Sequence, residues 1–139
     1  MEPYELEHQA ALRSFAPECM VLLKMCIRDR YVACAISLAF VEPDLGKVLE
    51  KALEYIPADC EYARVVRAVT AYHREHPENW RDCYHYIFQN FGYDKYPGNC
   101  HIIPNAAVMI LAMLYGGGEF ERTLCICNMC GWDLSLIHI

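Results

Sequence analysis

No stretch of this sequence is long and apolar enough to cross a bilayer. The longest unbroken apolar run, Ala106 to Tyr115, is half of the about 20 residues that a spanning helix needs. The N-terminus lacks the basic start and apolar run of a signal peptide, so a soluble, cytoplasmic protein without a membrane partner is expected. Positive charge is scarce as well: 12 Lys and Arg against 18 Asp and Glu leave a net charge of −6. A nucleic-acid binder needs a basic face to neutralise phosphates, so DNA and RNA are not expected partners. No segment alternates polar and apolar residues over a useful strand length, and no unit repeats. Nothing therefore argues for a sheet. The "GGG" at 116–118 is not followed by the Lys-Ser/Thr of a phosphate loop, and no histidine stands in a His-Glu-x-x-His spacing. The first reads as a helix stop and the histidines as surface or boundary residues.

What the chain does have is apolar material in helical register. With 55% hydrophobic and 22% charged residues over 139 positions, it can build one core and is not compositionally disordered. Its nine cysteines are odd in number and scattered through apolar segments, which favours reduced, buried thiols over a disulfide framework. Tyr31 to Glu42 is almost wholly apolar up to Pro43 and predicts a helix buried on most sides. Leu45, Val48, Leu49, Ala52, Leu53 and Ile56 form the stripe of a second helix that ends at Pro57. A third, starting near Asp59, carries Tyr62, Val65, Val66, Val69, Tyr72 and His73 inward, with Arg64, Arg67 and Arg74 on the wet side. "EHPEN" breaks it. Trp80, Tyr84, Ile87, Phe88 and Phe91 mark a fourth helix, with Gly92 as its C-terminal cap. "GYDKYPGNCHIIPN" reads as a loop, and Pro104 suits the first turn of a fifth helix running to Tyr115. A last helix spans Glu119 to Cys130. The expected architecture is all-α, a helical bundle, with the Pro104 to Tyr115 segment its most buried part.

Cys125-x-Cys127-x-x-Cys130 has the look of half a zinc site, and a structural zinc protein is one reading of it. On a helix, however, Cys125 and Cys127 point about 200° apart, so core packing explains them better. Asp133 follows Gly131 and Trp132 at a helix end, where a turn presents its carboxylate as a hard-cation ligand. In isolation it would be an ordinary surface aspartate. His101 and Asn105, beside the fifth helix start, are candidate substrate contacts, with Asn105 also suited to cap the helix and His101 to pack against it.

Two hexapeptides stand apart. Met25 to Arg30, "MCIRDR", and Leu134 to Ile139, "LSLIHI", back-translate to one DNA element read in opposite orientations, and that element resembles the transposon mosaic end used in sequencing libraries. Residues 25–30 and 134–139 are then adaptor scars, and the native insert is 31–133.

At "YPGNCHIIPNAAVMILAMLYGGGEFERTLCICNMCGWD" the insert resembles a bacterial branch of the ADP-ribosylglycohydrolase family. The similarity runs back through "AFVEPDLGKVLEKALEYIPADCEYARVVRAV" to Tyr31 and stops at both hexapeptides. The resemblance implies the C-terminal part of a hydrolase that cleaves a glycosidic bond to ADP-ribose, in an ADP-ribosylated protein or a small ADP-ribose conjugate, with a binuclear magnesium centre. It implies Asp133 as a metal ligand, the first aspartate of a Gly-Trp-Asp-Thr-Asp motif whose second aspartate has no counterpart here. The family's N-terminal ligand motifs, a Gly-Asp pair and a Thr-Asp-Asp-Thr segment, do not occur in this chain. A pair of hard cations needs several carboxylates, so the chain by itself is expected to be inactive and to hold no magnesium tightly. Residues 1–24, with "LEHQAALRSFAPECMVLLK", resemble the start of the second domain of family-3 glycoside hydrolases, which would make the chain a chimera of two unrelated hydrolases. The competing reading from another class is a non-catalytic helical interaction module.

Overall fold

The computed structural model describes residues 27–96 and 101–132, and every regular element among them is helical. Helix α1 is Ile27–Ala39, α2 Leu45–Ala52, α3 Glu61–Glu75, α4 Trp80–Phe91, α5 Ile102–Gly116 and α6 Phe120–Met129. A 3-10 turn, Leu53–Tyr55, tightens the end of α2 before Pro57. No helix among the described residues is long and apolar enough to cross a membrane.

The architecture is a bundle built around α5. Ten of its fifteen residues are buried, because α3, α4 and α6 all pack on it and its apolar side chains leave no polar stripe to face water. From α3 come Tyr62, Val65, Val66 and Val69, and from α4 Cys83, Ile87 and Phe91, all buried. The arginines Arg64, Arg67 and Arg74 lie on the wet side of α3, as the pattern predicts.

Local chemistry fixes the helix starts. Asp44 caps α2 by accepting from the Lys47 amide at 3.2 Å, and Asn79 caps α4 through Arg81 at 3.1 Å. Such caps satisfy amides that have no partner in the first turn. Helix α3 begins at Glu61 rather than near Asp59, with the Cys60 thiol as the capping acceptor for the Ala63 amide. Cysteine is not a residue that sequence patterns nominate for this role. Gly92 is the C-cap of α4 and Gly117, in the left-handed region, that of α5.

Helix α1 departs from expectation. Only Tyr31 and Leu38 are buried in it, while Ile36 is 59% and Phe40 83% exposed. Its main contacts are with α2 and the 3-10 turn, so one side is covered and the other meets no described element. Tyr31 supplies the anchor: its ring lies 5.1 Å from that of Tyr62, and its hydroxyl donates to the Leu49 carbonyl at 3.0 Å. Ile27 to Arg30, from the first hexapeptide, form the opening turn of α1 ahead of this anchor.

Candidate functional site

His101, Asn105 and Trp132, the residue before Asp133, lie at one end of the bundle, where α5 begins, α6 ends and the 92–96 loop crosses between them. His101 is the N-cap of α5, its Nδ1 accepting from the Ile103 amide at 3.2 Å. Asn105 is therefore not the cap. It sits on the fourth position of the helix, which starts two residues before Pro104. Its Oδ1 accepts from the Tyr93 hydroxyl at 2.9 Å, leaving its Nδ2 donors and the Nε2 of His101 without a protein partner among the described residues.

At the end of α6 the chain reverses at Gly131, whose φ of 66° lies in the left-handed region that favours glycine. Trp132 then turns back into an aromatic cluster, 5.4 Å from Tyr84, 6.2 Å from Phe88 and 5.5 Å from Tyr93 between ring centroids. The Tyr84 hydroxyl donates to the Cys130 carbonyl at 3.1 Å, tying the turn itself to α4. Burial, chiefly, raises the Tyr84 phenol above its ordinary value. Trp132 is thus held from three sides, and the position of the residue before Asp133 is set by packing. Asp133 itself, with the second hexapeptide, lies outside the described residues, as do residues 1–26 and 97–100.

A second arm of the same loop reaches α3. Tyr96 lies against His101, ring centroids 5.0 Å apart, and its hydroxyl donates to Glu61 while accepting from Arg64 at 3.0 Å. Arg64 also donates its Nε to Glu61 at 2.9 Å. Hydrogen bonding from Arg64 first, then from Tyr96, holds the Glu61 carboxyl below its ordinary value. The Tyr96 phenol is raised, mainly by burial and then by Glu61. Tyr93 and Tyr96 therefore fix, respectively, Asn105 and His101. Sequence reading recognised the loop as rich in aromatics but did not select these two tyrosines; their spacing of three along a turn-rich segment was the available signal.

Metal chemistry finds no complete donor set here. Among the described residues no three His, Cys, Asp or Glu side chains come together to hold an ion. Cys130 is buried, but Cys125 is exposed rather than packed in the core as its spacing leads one to expect. The Cys125, Cys127 and Cys130 spacing does not assemble a zinc site.

A family profile for ADP-ribosylglycohydrolase matches residues 25–136, an interval that takes in all six helices and the Gly-Trp-Asp end. No curated protein and no solved structure matches the chain. The match covers well over half of the sequence, and with the all-α bundle it agrees with the motifs around Ile102 and Trp132. The chain belongs to the ADP-ribosylglycohydrolase family.

Proposed function

We propose that the chain is the C-terminal part of a cytoplasmic, magnesium-dependent hydrolase of this family, one that cleaves a glycosidic bond to ADP-ribose in an ADP-ribosylated protein or a small ADP-ribose conjugate. The observation that carries this reading is the family match over 25–136. Asp133 is the proposed metal ligand, and the packing of Trp132 against Tyr84, Phe88 and Tyr93 supports it, since a ligand is useful only if its backbone is held. His101 and Asn105 are the proposed substrate contacts, through the imidazole Nε2 and the amide Nδ2.

The residues present do not fit a binuclear magnesium centre by themselves. Hard cations take six or so oxygen ligands and need several carboxylates to balance their charge, and the only carboxylate this chain offers in a family metal motif is Asp133. A metal-dependent step needs donors beyond Asp133, and we propose that the chain alone does not turn over. Assay of the purified chain against ADP-ribosylated peptide and against an ADP-ribose conjugate, with and without magnesium, tests this. No product above the blank is expected; magnesium-dependent turnover would overturn it. In a longer homologue carrying the Gly-Asp, Thr-Asp-Asp-Thr and Gly-Trp-Asp-Thr-Asp motifs, replacing the aspartate equivalent to Asp133 with Ala should lower kcat more than it raises KM. Unchanged turnover would remove the ligand assignment.

The reading as a helical interaction module has one observation in its favour, the exposure of Ile36 on α1, of Phe40 just past its end, and of Phe120 and Leu124 on α6. Detection of hydrolysis in the longer homologue decides against it.

A further inference from the structure

The last turn of α6 is tightened. The Cys130 amide donates to the Cys127 carbonyl as well as to that of Ile126, both at 3.3 Å, and the Gly131 amide donates to the Asn128 carbonyl at 3.1 Å. Bonds to the third residue back are those of a 3-10 turn, in which side chains three positions apart eclipse. Cys127 and Cys130 are such a pair. On a regular helix, residues three apart hold their Cβ atoms about 5–6 Å from each other, and a disulfide needs about 3.5–4.5 Å. The tightening acts to close that gap. Gly131, at a φ of 66°, ends the helix one residue later, so no further helical turn resists the adjustment.

The two thiols differ in access. Cys127 is half-buried and Cys130 buried, and burial, followed by the neighbouring Cys127 and Cys83 thiols, pushes the Cys130 thiol up to about 12. Cys127 is therefore the one that a dissolved reagent reaches. Competing partners are poorly placed: Cys125 points about 200° away from Cys127 around α6, and Cys83, buried on α4, has its thiol against the Tyr115 hydroxyl.

We propose that Cys127 and Cys130 form a dithiol site that exchanges with a low-molecular-weight disulfide of the glutathione class. The Cys127 thiolate attacks one sulfur of that disulfide, a Cys127–glutathione bond forms as the glutathione S–S bond breaks, and the departing thiolate takes up a proton in place of the one Cys127 lost. Cys130 then gives up its proton and attacks Cys127 Sγ, and a second reduced glutathione leaves. Two protein thiols are oxidised and one disulfide is reduced to two thiols. The site needs neither metal nor ADP-ribose and stands apart from the hydrolase reading. Its effect falls on the turn that positions Trp132, because Cys130 carries the carbonyl that accepts from Tyr84.

Equilibration of the full chain with reduced and oxidised glutathione at pH 8, acid quenching, alkylation of the remaining thiols and peptide mass spectrometry test this. At an oxidising ratio, Cys125 should be alkylated and Cys127 and Cys130 joined, the peptide lighter by two hydrogens than its reduced form, and excess dithiothreitol should restore both thiols. Cys130→Ser should instead trap glutathione on Cys127 at a level at least about tenfold above that in the unmodified chain, while Cys127→Ser should leave Cys130 unmodified. Mapping of the unmodified chain decides the matter without relying on the folding of either variant. A stable glutathione adduct on its Cys127, a bridge that takes in Cys125 or Cys83, or free thiols at Cys127 and Cys130 at every ratio overturns the assignment.

Discussion

The Tyr93 hydroxyl donates to Asn105 Oδ1 at 2.9 Å, and the same tyrosine ring stands nearly perpendicular to Trp132 at 5.5 Å. One side chain thus joins the first turn of α5 to the turn that follows α6. Tyr93→Phe removes the hydrogen bond and keeps the ring, so stability should fall by about 1 kcal/mol while Trp132 keeps its surroundings. Tyr93→Ala removes both, should cost about 3 kcal/mol or more, and should shift Trp132 emission to the red. Urea unfolding followed by fluorescence, with Trp80→Phe as background, separates the two. A red shift already present in Tyr93→Phe would mean that the ring packing does not hold Trp132.

A second prediction concerns the crossing of α5 and α6. A Cβ built on Gly116 would overlap the Thr123 side chain, whereas one on Gly117 meets nothing but carries a φ of 64°. Gly116→Ala should cost about 1–3 kcal/mol through overpacking, and Thr123→Ala should recover part of that in the double variant. Gly117→Ala should cost about 1–2 kcal/mol through the left-handed backbone, with no help from Thr123→Ala. Denaturant midpoints of the three single and two double variants measure the coupling. Additivity at Gly116 would refute the close approach.

Much of this could be read in the sequence because α5 announces itself: a ten-residue apolar run between Pro104 and Gly116 can only be the centre of a helical domain, and it is. The stripes of α3 and α4 were equally plain, since their arginines and apolar residues separate at helical period. The exposure of α1 was not legible, because an apolar segment reads the same whether or not a neighbour covers its second face. Of the candidate site, the helix start was legible and its cap was not, His101 capping where Asn105 was expected to, while Asp133 lies outside the described residues. Asn normally outranks His as a cap, and the tyrosine that claims Asn105 is contributed by a loop twelve residues away. No local rule foresees that competition.

Thiol reactivity provides a third check. Burial pushes the Cys83 and Cys130 thiols each up to about 12, while Cys125 is exposed. Iodoacetamide reacts with the thiolate, so at pH 8 Cys125 should label in the native state, and Cys83 and Cys130 should label only after denaturant is added. Peptide mass spectrometry reads each site separately. Native labelling of Cys83 at the rate of Cys125 would contradict the packing of α4 against α5.

The last prediction is a pH dependence with its sign set by His73. Its imidazole is T-shaped against Tyr115, ring centroids 4.6 Å apart, and burial lowers its proton affinity below the ordinary 6.5. The unfolded chain therefore binds a proton at this residue before the folded one does. Stability that is complete above about pH 6.5 must decline as the pH falls through that value toward the lower folded value, because protonation favours the unfolded state. The Glu61 and Glu42 carboxyls, both held low, act in the same sense but only below their ordinary 4.5. Between pH 7 and 5 the slope belongs to histidine. Melting curves at half-unit steps should show Tm falling across that window, and His73→Gln should flatten the decline while leaving the steeper loss below pH 4.5. A His73→Gln profile parallel to that of the unmodified chain would mean that His73 is solvated and that the seam between α3 and α5 is open to water.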